Sequence, residues 1–275
     1  MNKHTYISNL LLTILILGSC SIFEGPEDIS NPMDPSDPDF VPPAVTFIQA
    51  PDEGETVDTC LVVFEWEGNQ SIMNYSYRID DQEWSEWSNK YTVEYPLLDE
   101  GSHSFDISSR YFNGVESDDP QVISFSVDDL TGPALTLNPR GSSGRQNYTT
   151  EIEISVVGVS DLALVKAVLI FNPDELSVAA VNVYDEESFL AINGGTVISF
   201  NSYDNVEGTI TIEVGVATGD PVSISGSGAI AKIGFIPKIA PRYTGISFDI
   251  SSEFRNPDNT TIQIDDFGNG GVYVQ

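Results

Sequence analysis

The 275 residues carry 42 Asp and Glu against 11 Lys and Arg, a net charge of −31. A surface that negative repels nucleic acid and anionic lipid headgroups, which excludes both as partners. Cys20 and Cys60 are the only cysteines, so no disulfide framework supports the chain. Stability must come from core burial, for which this length suffices as two medium domains.

Residues 1–20, MNKHTYISNLLLTILILGSC, combine Lys3 with the apolar run Leu10–Leu17, which is too short to span a bilayer. The run closes on Leu17-Gly18-Ser19-Cys20 and resembles the lipobox of bacterial lipoproteins, with small residues just before a cysteine. The resemblance implies a signal peptide over 1–19, cleavage before Cys20 and acylation of that residue. Several acyl chains on one residue make a firm anchor. Ser21 rather than aspartate follows, which in the Gram-negative sorting pattern favours the outer membrane or cell surface. The membrane is then met through the lipid only.

Residues 20–43 alternate proline and aspartate with few apolar side chains, the composition of a disordered, extended tether. The acids of NPMDPSDPD lack the spacing and the glycine of a calcium-binding EF-hand loop, so no metal site is expected there.

Residues 44–128 break into strand-like runs at Val45–Gln49, Cys60–Trp66, Tyr75–Ile79, His103–Ser108 and Val122–Val127, divided by Gly, Asp, Asn and Pro. Cys60 reads as a small hydrophobe on its strand. The pattern FEWEG…YSYRIDDQEWSEWS…LLDEGSHSFDISSRYFNGVES…FSVD resembles the fibronectin-III-like or immunoglobulin-like modules of bacterial envelope proteins. The matching residues are Trp66, Tyr77, Arg78, Asp80, Trp84, Trp87, Leu98, Gly101, His103, Phe105 and Gly114. This implies an antiparallel sandwich that acts as a spacer or interaction domain. Trp84-Ser85-Glu86-Trp87-Ser88 reads as core packing or a cation–π ladder with Arg78, with sugar stacking as the alternative.

Residues 129–133, DLTGP, form a hinge on the Gly132-Pro133 break. From 134 to 275 the chain is again strand-like throughout. Nine runs are predicted: Ala134–Leu137, Glu151–Val157, Leu164–Phe171, Ser177–Val183, Val197–Asn201, Thr209–Val216, Ala229–Pro237, Thr244–Ile250 and Gly271–Val274. Nine strands in a domain of this size indicate a jelly-roll sandwich, so the whole chain is all-β. In Leu164–Phe171 both faces of the period-two pattern are largely apolar, and Asn172-Pro173-Asp174 stops the strand.

Three groups of residues mark the second domain: Leu169, Phe171, Asn172, Pro173 and Leu176 around the turn, Gly226, Gly228, Ala229, Ala231, Ile233 and Phe235 in a glycine-rich strand, and Gly270, Gly271 and Val272 in the last strand. Together they resemble the cohesin family, receptors for dockerins in cellulosome-like assemblies, with a fold shared by some carbohydrate-binding modules. The first group matches the family's tyrosine-aspartate-proline and leucine pattern, with Asn172 in place of the aspartate. In that family one sheet face receives the partner. Carried onto this sequence, the face offers Leu164, Lys166, Val168 and Ile170, then Thr211 and Glu213, then Ile230 and Lys232. The expected plateau is apolar, carries two lysines, and takes a dockerin-like module to display or anchor polysaccharide-degrading or other extracellular proteins. Calcium would enter only through the partner, and no cofactor of the chain's own is implied.

No G-x-S-x-G elbow, HExxH motif or phosphate loop occurs, and beyond residue 19 the only histidine is His103, so no enzyme is expected. The alternatives left open are a carbohydrate-binding module contacting polysaccharide and a structural or adhesion surface protein. Against the first, all three tryptophans lie in the first domain and the tyrosines of the second are scattered.

Overall fold

The computed structural model describes residues 30–184, 188–192, 194–218 and 223–275. The signal peptide and Cys20 lie outside the described residues. Seven strands precede residue 128: β1 (Val45–Gln49), β2 (Thr56–Val57), β3 (Val62–Gly68), β4 (Met73–Ile79), β5 (Thr92–Tyr95), β6 (Gly101–Tyr111) and β7 (Gln121–Val127). They form a three-stranded sheet, β1-β3-β5, and a four-stranded sheet, β2-β7-β6-β4. Every second residue of β3 (Val62, Phe64 and Trp66) is buried, the signature of a strand with one face on a core. Phe64 stacks on Phe105 with ring centroids 3.9 Å apart, and Trp66 leans on Tyr75 and Tyr77.

Two expectations for this half change, and a third takes one of its two forms. Residues 30–43 do not hang free: Met33 and Phe40 pack on the first core, and Tyr111 Oη donates to Val41 O at 2.8 Å. Two apolar side chains and a few backbone carbonyls were enough to dock a segment whose average composition suggested a tether. Cys60 sits in a bend before β3, half-buried, with burial raising its thiol pKa. Trp84 and Trp87 lie outside the core. Arg78 covers Trp84 at 4.8 Å and is held by Asp106, while Arg110 covers Trp87 at 4.4 Å beside Glu116. The ladder with Arg78 is therefore present, and Arg110 adds a second rung.

The second half holds β8 (Ala134–Asn138), β9 (Gly141–Gly144), β10 (Thr150–Leu162), β11 (Leu164–Phe171), β12 (Leu176–Val183), β13 (Thr196–Asp204), β14 (Thr209–Thr218), β15 (Ile224–Pro237), β16 (Arg242–Phe248), β17 (Glu253–Arg255), β18 (Thr261–Ile262), β19 (Asp266–Gly268) and β20 (Gly270–Val274). All nine predicted strands are present. The four additions, β9, β17, β18 and β19, are only two to four residues long, too short to show a period. A five-stranded sheet, β12-β15-β10-β8-β19, faces an eight-stranded one whose main path is β13-β14-β11-β16-β20-β9. Between them lies one apolar core with Ile152, Leu169, Ile212, Ile233, Phe235 and Phe254 fully buried. Each such side chain contributes about 1.5–3 kcal/mol relative to exposure.

The hinge is packed rather than loose. Leu130 is buried, and Pro133 O accepts from Asp265 N at 2.7 Å. Just beyond, the buried Arg140 joins the two halves. Its guanidinium donates to Asp129 at 2.7 Å and to Asn269 O, and its backbone N–H donates to Asp99 at 2.6 Å. Burial and the hydrogen bond with Asp129 push the Glu100 carboxyl up to about 7. Burial alone would raise Asp129, but its hydrogen bonds with Glu100 and the Arg140 charge bring it below the usual carboxylate value. His103, hydrogen-bonded to Asp80 at 3.0 Å and to Asp99 O at 2.8 Å, is raised by its Asp80 partner.

Candidate partner-docking face

β11 lies in the middle of the eight-stranded sheet, against β14 on one side and β16 and β17 on the other. Val165, Ala167, Leu169 and Phe171 go into the core. On the opposite face Leu164, Lys166 and Val168 are half-buried and Ile170 is exposed. β14 alternates in the same sense, with Ile210, Ile212 and Val214 inward and Thr211 and Glu213 outward. The strand register sets these side chains in rows, Leu164 by Gly215, Lys166 by Glu213 and Val168 by Thr211. Neighbours in such rows sit about 5 Å apart at Cβ and act as one surface.

The asparagine turn after β11 forms as its residue types dictate. Asn172 Oδ1 accepts from Asp174 N at 3.0 Å, and Asn172 O accepts from Leu176 N at 2.9 Å. A second turn fixes the edge of the face. Asp204 Oδ1 accepts from Val206 N and Glu207 N, and Gly208 closes the hairpin at φ +70°. A Cβ on Gly208 would lie 2.1 Å from Phe171 O, so the β13–β14 hairpin can approach β11 only with glycine there.

That hairpin supplies what the sequence reading missed. β13 extends each row by one residue, Ile198 beside Gly215 and Phe200 beside Glu213, and both are open to solvent at 51% and 68% exposure. The signal was available: TVISF alternates, and the Asp204–Gly208 turn forces pairing with β14. On the other side, residues 249–252 bond to the main chain of Val168. Val168 N donates to Ser252 Oγ at 3.0 Å, and Val168 O accepts from Asp249 N at 2.8 Å. This loop leaves Ile250 almost wholly exposed beside the face.

Two predicted members do not belong. β15 lies in the five-stranded sheet between β12 and β10, so Lys232 projects from the opposite side of the sandwich. It opposes Glu153 and Asn182 and pairs with Glu151 at 3.4 Å. Ile230 is fully buried. The register with β10 slips between Ala229 and Ala231, and the extra residue at this bulge, Ile230, turns into the core together with Ala231. One inserted residue reverses a period-two pattern, which is why alternation counted back from Phe235 put Ile230 outside.

The face is also distinct in charge. Lys166 stands across from Glu213 and Glu253, and Glu253 is ion-paired with Arg255. Two positive and two negative groups share this central patch of a chain whose net charge is −31. Among the described residues Lys166 makes no ion pair, and no group of three or more His, Cys, Asp or Glu is placed to hold a metal.

No protein-family model matches the chain, and no curated protein matches it. Solved structures of cohesin domains do. The sixth cohesin of scaffoldin B from Acetivibrio cellulolyticus, solved with a dockerin, is 15% identical, with a TM-score of 0.42 over 53% of this chain and 100% of that one. A cohesin from Clostridium acetobutylicum is 18% identical at 0.41 over 52% and 96%. A non-cellulosomal cohesin from the archaeon Archaeoglobus fulgidus is 13% identical at 0.39 over 52% and 91%. Each is matched by about half of this chain.

Proposed function

We propose that the chain is a lipid-anchored receptor at the outer membrane or cell surface whose second sandwich docks a dockerin-type protein module, with no catalysis of its own. The observation that carries this is the face of β13, β14 and β11. Leu164, Val168, Ile170, Ile198 and Phe200 form an apolar strip around a charge-balanced centre, left open on a chain that is otherwise strongly acidic. An apolar patch with a polar rim fits protein recognition, and neutral local charge removes the repulsion an acidic partner would otherwise meet. Nothing in the first sandwich covers Ile170, Ile198 or Phe200, whose exposure holds with both halves present. The sequence resemblance of 134–275 supplies the partner class, and the lipobox supplies the anchor.

Calorimetric titration of the full chain with calcium-loaded dockerin modules from the parent organism tests the docking reading. Binding that disappears both in Val168→Asp and on calcium chelation supports it. Binding indifferent to Val168→Asp overturns the face assignment. Incorporation of radiolabelled palmitate, lost in Cys20→Ala, tests the anchor.

A further inference from the structure

β16, β20 and β9 form the end of the eight-stranded sheet away from the docking face. Their register sets Tyr243, Tyr273 and Ser143 in one row across the outer side, and Gly245, Gly271 and Gly141 in the next. The glycine row decides how the rings lie. A Cβ on Gly271 would sit 2.7 Å from Tyr243 Cε2, and one on Gly141 would touch Tyr273 Cε2 at 3.6 Å, so each ring leans over the glycine of the next strand. The ring centroids are 4.9 Å apart, and Tyr243 is 44% exposed. Two tyrosines far apart in sequence thus make one aromatic platform.

The tyrosine row runs on into a cleft of about 410 Å³ between the two sandwiches, where Tyr273 and Ser143 meet Asp80, Gln82, Glu94 and Asp99. That volume lies within the range of small-ligand sites, which favour domain junctions. The side chains of Gln82, Glu94 and Ser143 and the hydroxyl of Tyr273 make no hydrogen bond or ion pair with other described residues. No lysine or arginine lines the cleft, and its one base, His103, is already bonded to Asp80 and to Asp99 O.

We infer that the Tyr243–Tyr273 platform and the cleft beside it bind a neutral oligosaccharide chain, independently of the docking face. Complementarity selects that class. An anion would meet Asp80, Glu94 and Asp99 with only the already bonded His103 to offset them. A lysine or arginine side chain could pair with Glu94, but it only donates and offers nothing to the donors of Gln82, Ser143 and Tyr273. Sugar hydroxyls both donate and accept, so one chain serves the carboxylate and the donors together, while its C–H faces pack on the tyrosine rings.

The test is calorimetric titration of the full chain with neutral hexasaccharides of β-1,4-linked glucose, xylose and mannose, with a Lys/Arg-rich peptide in parallel. At least one hexasaccharide should bind. Binding should weaken by about tenfold in Tyr243→Ala and be kept in Tyr243→Phe, which retains the stacking ring. Gly245→Gln is a second variant that leaves the core untouched: a Cβ there meets nothing closer than Tyr243 at 3.9 Å, and the longer side chain would cover the platform and block the sugar. The inference is overturned if no hexasaccharide binds at about 10 mM. It is equally overturned if binding survives both Tyr243→Ala and Gly245→Gln, or if only the basic peptide binds.

Discussion

On the five-stranded sheet of the second sandwich, Lys232 reaches Glu151, and Tyr184 Oη donates to Glu153 at 2.5 Å. On the eight-stranded sheet, Lys166 faces two glutamates and pairs with neither, while Ile198 and Phe200 stand in solvent. The strands beneath are alike in the apolar side they turn to the shared core. One outer face is finished within the chain and the other is not. Polar groups that satisfy one another need no partner, whereas an apolar strip next to an unpaired charge gains from one. Face by face, the distinction rests on which strands share a sheet.

The sharpest break in that comparison uses adjacent residues of β11. Leu169 is fully buried and Val168 faces outward. Leu169→Ala should cost about 2–5 kcal/mol of stability by leaving a cavity. Val168→Asp should cost less than about 1 kcal/mol, since the site is half-open. Thermal unfolding followed by circular dichroism reads both. Equal losses would mean that the outer face is itself part of a core.

Next in size is the effect of the hairpin on binding. Phe200 is the largest exposed apolar group on the face, so Phe200→Ala should weaken the partner by about 2 kcal/mol, near 30-fold, with unfolding unchanged. A change of less than about twofold would confine the docking area to β11 and β14. Surface plasmon resonance on the full chain reads the difference.

How far the face was legible in the sequence follows from the same residues. Leu164–Phe171 was readable to the residue, because an uninterrupted period of two and an asparagine-proline stop define both ends. Thr211 and Glu213 followed from the alternation of Ile210, Ile212 and Val214. Ile230 was lost to a bulge, a one-residue insertion whose position depends on the partner strand and leaves no mark in β15 itself. Lys232 was lost to topology, since alternation says which side of its own strand a residue takes but not which sheet the strand joins. Residues 30–43 were misread because composition averages over a segment, whereas Met33 and Phe40 act singly.

The junction between the halves gives a smaller, pH-dependent effect. Glu100 is raised from an ordinary 4.5 to about 7 in the fold, so ionising it is harder there than in the unfolded chain. Its contribution is therefore fully present below about 4.5 and is lost as pH climbs to about 7. Asp99 is raised by burial and His103 by Asp80, and both contributions likewise decline with rising pH. Burial acts to raise Asp80, but its hydrogen bond with His103 lowers it on balance. Its contribution, with that of the lowered Asp129, is present at neutral pH and fades in acid below 3.8. The melting temperature should thus be higher at pH 5.5 than at pH 8, and Glu100→Gln should flatten that slope. An unchanged slope would show that Arg140 and Asp129 hold the junction without Glu100.

The smallest expected effect is the most pointed control on the two faces. Lys232 and Lys166 were assigned to one surface by the sequence, and the structure puts them on opposite sheets. Lys232→Gln removes a half-exposed pair with Glu151, a type of contact worth about 0–1 kcal/mol, and should leave partner affinity within about twofold. Lys166→Gln should alter affinity and its salt dependence, because this cation sits within the apolar strip and would be desolvated on docking. If Lys232→Gln instead weakens binding as much as Lys166→Gln does, the partner engages the five-stranded sheet, and the internally paired face is the functional one.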